Sequence, residues 1–150
     1  MHLVVPACFL LVIATTVVHY EILGLLNARL PRLPVPHRLK LLVVIFSAFL
    51  AHALEIAFYG LVLFALVHWF DVGQLVGSAG FSLASCLYFS AETYTSLGFG
   101  DLTPVGPIRL LAGVEALNGL LLIGWSASFT YIAMERFWDD RREVRDSTPN

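Results

Sequence analysis

The 150-residue chain is 58% hydrophobic and only 13% charged, against about 25% charged in a typical soluble domain, which excludes a soluble globular fold and leaves an integral membrane protein of one domain. A net charge of −2 singles out no partner, and no nucleic-acid partner is expected. What carries information is where the charges sit.

Leu3 to Leu26 is mainly apolar and long enough for one membrane crossing: about 24 residues of helix reach roughly 36 Å, against a hydrocarbon core of about 30 Å. Pro6 falls near its start, where a missing N–H costs little. His19 and Glu21 fall towards its far end, where side chains of this kind snorkel to the interface. Cys8, and Cys86 further on, lie in apolar runs and read as small core residues, not as a disulfide or metal pair.

From Asn27 to Lys40, Pro31, Pro34 and Pro36 alternate with basic residues, so an extended connector on the membrane surface is expected. Leu41 to Phe70 is a second span, longer than a perpendicular crossing needs. Within it His52 and Glu55 lie one helical turn apart and share a face. At that depth both must face protein or water; a packing hydrogen bond, proton-sensitive gating and a metal site are the readings open to them. Val72 to Ser82, rich in Gly and Ser, reads as a short turret, with Ser82 the N-cap of a helix running to about Tyr94. That helix is too short to cross and must re-enter.

Next comes the string Thr95-Ser96-Leu97-Gly98-Phe99-Gly100-Asp101. Glycine reaches positive φ without a Cβ clash, so Gly98 and Gly100 permit a backbone whose successive carbonyls point the same way. Carbonyls so aligned can replace the water shell of a bare cation. One chain supplies one line of oxygens, so rings around an ion require several copies about an axis, and a homo-oligomer is implied. Ile108 to about Phe137 is the last span, with buried polar positions at Glu115 and Asn118. Residues 138–150 mix acids and arginines and read as a short solvated tail.

Of the nine Lys and Arg, Arg29, Arg32, Arg38 and Lys40 lie between the first two spans, and Arg136, Arg141, Arg142 and Arg145 follow the last. By the positive-inside rule the 27–40 loop and the C-terminus are cytoplasmic, while the N-terminus and the glycine string face outward across a cell (inner) membrane. The expected divisions are an N-terminal helix and basic linker (1–40), a pore domain (41–137) and the tail (138–150).

The string resembles the filter of the tetrameric potassium channels, with Ser96 at the filter threonine, Leu97 at the valine and Phe99 at the tyrosine, and with Gly98, Gly100 and Asp101 unchanged. Upstream, Tyr88-Phe89-Ser90-Ala91-Glu92-Thr93 is similar to that family's pore helix, and the likeness runs from about Leu41 to Phe137; small bacterial three-helix members look most alike. The resemblance implies an all-α membrane fold in which a C4 tetramer passively conducts K⁺ coordinated at Ser96, Leu97, Gly98 and Phe99. Tyr88 and Phe89 would brace the filter, Glu92 would pair with Asp101 behind it, and Glu115 would stand behind it as well. Gly119 would be the inner-helix hinge, and Leu120, Ile123, Ala127 and Tyr131 would line the cavity and gate. No cofactor beyond K⁺ is implied. The rival expectations are a weakly selective monovalent cation channel and a non-conducting scaffold. An intramembrane enzyme built on His52, Glu55 and Ser126 lacks a matching motif.

Overall fold

A computed structural model describes residues 1–77 and 80–146, with side chains for all of these except His37 and 137–146. Ser78 and Ala79 of the turret, the side chains of the tail, and residues 147–150 therefore lie outside the described residues. The elements in order are α1 (Val4–Arg29), a 3₁₀ turn (Leu30–Arg32), α2 (His37–His68), β1 (Gln74–Gly77), α3 (Leu83–Tyr94), β2 (Leu102–Val105) and α4 (Ile108–Asp146). Three stretches are long and apolar enough to cross a membrane, Val4–Arg32, Arg38–His68 and Ile108–Arg136, with mean hydropathies of 2.0, 2.3 and 1.5. The expected helical membrane fold is what the chain forms.

Each long helix turns a narrow stripe inward. On α1 it is Val4, Cys8, Leu11, Thr15, His19 and Leu23, a spacing of three to four residues that lines one helical face. On α4 it includes Leu111, Glu115, Asn118, Leu122, Ser126 and Ala133. Polar groups punctuate these stripes and are satisfied between helices, because lipid offers them no partner. Asn118 Nδ2 donates to Thr15 Oγ1 at 2.8 Å and to Tyr59 Oη at 3.2 Å, joining α4 to α1 and α2. The core at the α3 end includes Tyr59, Leu63, Cys86, Phe89, Tyr94, Leu102 and Ile108, and a smaller cluster of Leu30, Val44 and Ala133 closes the opposite end. Both cysteines are buried, as expected of small core residues.

Two expectations need correction. The connector is only partly extended: α1 runs on to Arg29, Leu30 is buried in the 3₁₀ turn, and Lys40 Nζ donates to the Pro31 carbonyl at 3.2 Å. Prolines at the first positions of a turn lose no bond that it needs, so the turn forms in spite of them. The turret is also more than a loop. Gln74–Gly77 pairs antiparallel with Leu102–Val105 in the register Gln74↔Val105 to Gly77↔Leu102. This ribbon ties the end of α2 to the segment that follows the glycine string.

Candidate functional site

The glycine string is held at its two ends and bare between them. At its entrance α3, N-capped by Ser82 Oγ on the Ser85 amide at 3.0 Å, ends at Tyr94. The Ser96 amide then donates to the Thr93 carbonyl at 3.0 Å and the Leu97 amide to the Glu92 carbonyl at 2.8 Å. These paired bonds, with Ser96 at φ +57°, make a Schellman cap in which serine takes the place usual for glycine. At the exit, Leu102 enters the ribbon opposite Gly77, and a Cβ on Gly77 would run into the Asp101 carbonyl. The Gly98 amide also reaches the Glu92 carbonyl at 3.4 Å, so the first half of the string is tied to α3 and the residue after its end to the ribbon.

Between the anchors φ alternates in sign: Ser96 at +57°, Gly98 at +58° and Gly100 at +81° are separated by Leu97 and Phe99, which have no positive φ. The two glycines adopt the conformation expected of them. Ser96 joins them, although nothing in its residue type calls for it. Every residue from Thr95 to Asp101 is exposed in the single chain, including Leu97 at 59% and Phe99 at 68%. Among the described residues, these two large apolar side chains are left mostly uncovered.

The residues expected to support the string are distributed less simply. Phe89 is buried in the core, while Tyr88 is largely exposed and its phenol lies against both Glu92 and Asp101. Glu92 and Asp101 thus share the Tyr88 phenol as a neighbour. Glu92 Oε1 is buried without a hydrogen-bond partner. Glu115 is buried behind α3 and accepts from Ser90 Oγ, which also faces the Ile56 carbonyl at 2.8 Å. Glu115 therefore lies away from any open face of α4.

Gly119 meets the end of α3: a Cβ there would overlap the Tyr94 carbonyl. The helix continues through it, and close approach is what the fold demands of this glycine. Leu120, Ile123, Ala127 and Tyr131 are all exposed in the single chain, and Tyr131 donates to Glu135 one turn on at 2.7 Å. Leu117, Leu121 and Trp125 are exposed too, so the bare arc of α4 is wider than the four residues expected to line a cavity.

The largest departure concerns His19. It is fully buried and so is no interfacial residue. Its Nδ1 lies 2.8 Å from Glu55 Oε1 and its Nε2 3.2 Å from Ser126 Oγ. His52 Nδ1 is 3.0 Å from Glu55 Oε2 and 3.0 Å from Tyr94 Oη, and Tyr94 itself donates to Glu55. The pair expected at His52 and Glu55 is thus the centre of a five-residue network that touches all four helices. A partial signal was present in the sequence: Thr15 and His19, four residues apart, share one helical face, although their spacing does not name the partner on α2. Ser126, His19 and Glu55 stand in the order of a hydrolase triad, but Ser126 and His19 are both buried, and the ring of Trp125 lies 5.4 Å from that of His19.

Comparison with known proteins bears on the same segment. Residues 39–136 match the family model described as "Ion channel". The inward rectifier potassium channel Kirbac3.1 of Paramagnetospirillum magnetotacticum is 36% identical over 56 residues, a stretch that spans 37% of this chain and 19% of that relative. No solved structure matches.

Proposed function

The chain belongs to the ion channel family, and on that premise we propose that it is a passive K⁺-selective channel whose filter is built by four copies around one axis. The observation that carries this reading is the alternation of φ along Ser96 to Gly100 in a loop pinned at both ends. Reversing the sign of φ at every second residue lets successive carbonyls face one way, which is the arrangement that replaces an ion's hydration shell. Ser96, Leu97, Gly98 and Phe99 supply the four rings of oxygens, and the Ser96 hydroxyl completes the innermost one. No other cofactor enters this reading.

Four copies also account for what one chain leaves bare. Leu97 and Phe99 gain neighbours from adjacent loops, and the exposed arc of α4 with Leu120, Ile123, Ala127 and Tyr131 faces the axis. The end of α3 carries the negative pole of its helix dipole, and four such ends favour a cation below the filter. The chain sits in the cell membrane with its N-terminus and filter mouth outside and the 27–40 loop inside, as its basic residues favour.

The test is K⁺-driven flux into liposomes holding the purified protein, with Na⁺ run in parallel and Gly98→Asp as control. Flux that is strong with K⁺, weak with Na⁺ and abolished in the variant is the expected result. Equal K⁺ and Na⁺ flux would retain the channel and refute its selectivity, and no flux of either ion would favour a pore fold kept as a scaffold.

A further inference from the structure

Glu55 is fully buried within α2, and its only hydrogen-bond partners among the described residues are His19, His52 and Tyr94. Its ion pairs among the described residues are with two imidazoles, each turning Nδ1 towards a different carboxylate oxygen. We propose that His19, His52 and Glu55 form a binding site for a divalent transition-metal ion, for which zinc fits best.

The donor set is two imidazoles and one carboxylate, a combination that holds zinc with a fourth position left open. The ligand atoms of the three residues all lie within 4.8 Å of one another. With metal–ligand bonds of about 2.0–2.2 Å, neighbouring ligand atoms in a tetrahedral site stand about 3.3 Å apart. The contacts at 2.8 Å and 3.0 Å and the 4.8 Å outer limit bracket that spacing, so small side-chain rotations suffice to admit the ion. The phenol oxygen of Tyr94, 3.0 Å from His52 Nδ1, is placed for the fourth position.

The surroundings are those of a supported site. Ser126 Oγ, 3.2 Å from His19 Nε2, is placed to accept an Nε2–H once the ring proton moves from Nδ1, where it faces Glu55, so that Nδ1 becomes the ligand; an outer contact of this kind fixes the ring of a metal-bound histidine. Trp125 lies against the same ring and walls it from lipid. His52, 18% exposed, is the way in. One carboxylate leaves a divalent ion with residual positive charge, which the C-terminal pole of α3, ending at Tyr94, partly offsets. An ion bound here joins α1 to α2 and, through Tyr94, to the residue from which the glycine string departs, so it is a regulatory site beside the pore and no part of the conduction path.

The experiment is a titration of the purified full-length chain in detergent with Co²⁺, read by its visible absorption bands, followed by displacement with Zn²⁺. The expected result is one ion per chain with the spectrum of a low-coordinate nitrogen and oxygen site, and a Zn²⁺-dependent rise in melting temperature. His52→Gln should bind at least about 100-fold more weakly. Ser126→Ala, which keeps all three ligands but takes away the partner of His19 Nε2, should weaken binding about 10- to 100-fold, with a lower melting temperature than the parent without metal and a smaller rise on adding Zn²⁺. No saturable binding by the parent protein would overturn the proposal, as would unchanged affinity in Ser126→Ala. None of these readouts requires conduction, so they stand or fall separately from the flux test.

Discussion

The backbone of Gly119 lies directly against the carbonyl of Tyr94, so α4 reaches α3 at the residue where that helix gives way to the glycine string. Gly119→Ala therefore forces backbone, not a flexible side chain, to move. A loss of about 1–3 kcal/mol is expected, as for other overpacked sites. Gly113→Ala, where an added Cβ meets nothing within 4 Å, should be neutral or gain up to about 1 kcal/mol from helix propensity. Thermal unfolding in detergent compares the two, and equal stability of both variants would contradict the close contact.

Ser96 occupies the left-handed region at φ +57°, where a non-glycine residue costs roughly 1–3 kcal/mol. Ser96→Gly is expected to raise the unfolding temperature and Ser96→Val to lower it. The glycine variant also removes the hydroxyl assigned to the innermost ion site, so it should gain stability while losing K⁺ over Na⁺ discrimination in the flux assay. A simultaneous loss of both would mean that the serine side chain holds the loop itself.

Glu115 is buried, and Ser90 is its hydrogen-bond donor. Ser90→Ala leaves the carboxyl without that donor and should cost about 1–3 kcal/mol. Removing both polar groups, as Ser90→Ala with Glu115→Leu, should recover most of this. A double variant less stable than the single one would show that Glu115 has a task beyond bonding to α3.

At the far end of the string, Gly77→Ala pushes a methyl into the Asp101 carbonyl and the Leu102 side chain. The ribbon must open to admit it. Flux should persist with a reduced preference for K⁺, since the exit anchor fails while the Schellman cap remains. An unaltered K⁺ to Na⁺ ratio would show that the ribbon has no hold on the string.

Much of this was legible in the sequence because lipid enforces simple rules. Three long apolar stretches had to be helices, Ser82 announced a cap, and Gly98 and Gly100 announced positive φ. The ribbon was not legible: four residues ending in glycine, with only Leu75 buried, carry too short an alternation to be told from a loop. His19 was misplaced because its partner Glu55 is 36 residues away on another helix, a pairing that helical spacing within α1 cannot reveal. Ser96 was hidden for a different reason. Its conformation is imposed by the cap that closes α3, through bonds from its own amide and that of Leu97 to carbonyls of the helix, and side-chain identity takes no part in them.

The string, tied to α3 by backbone bonds through Gly98 and to the ribbon after Asp101 but with its side chains uncovered, has a genetic consequence. Each chain fixes where its own loop begins and stops, but the middle, with Leu97 and Phe99 uncovered, takes its form from the neighbours it meets. In the four-copy assembly proposed above, one altered copy deprives the sound loops beside it of a side to lean on. Alleles that damage the string should therefore be dominant when expressed with the normal chain, whereas alleles that prevent a chain from folding should be recessive.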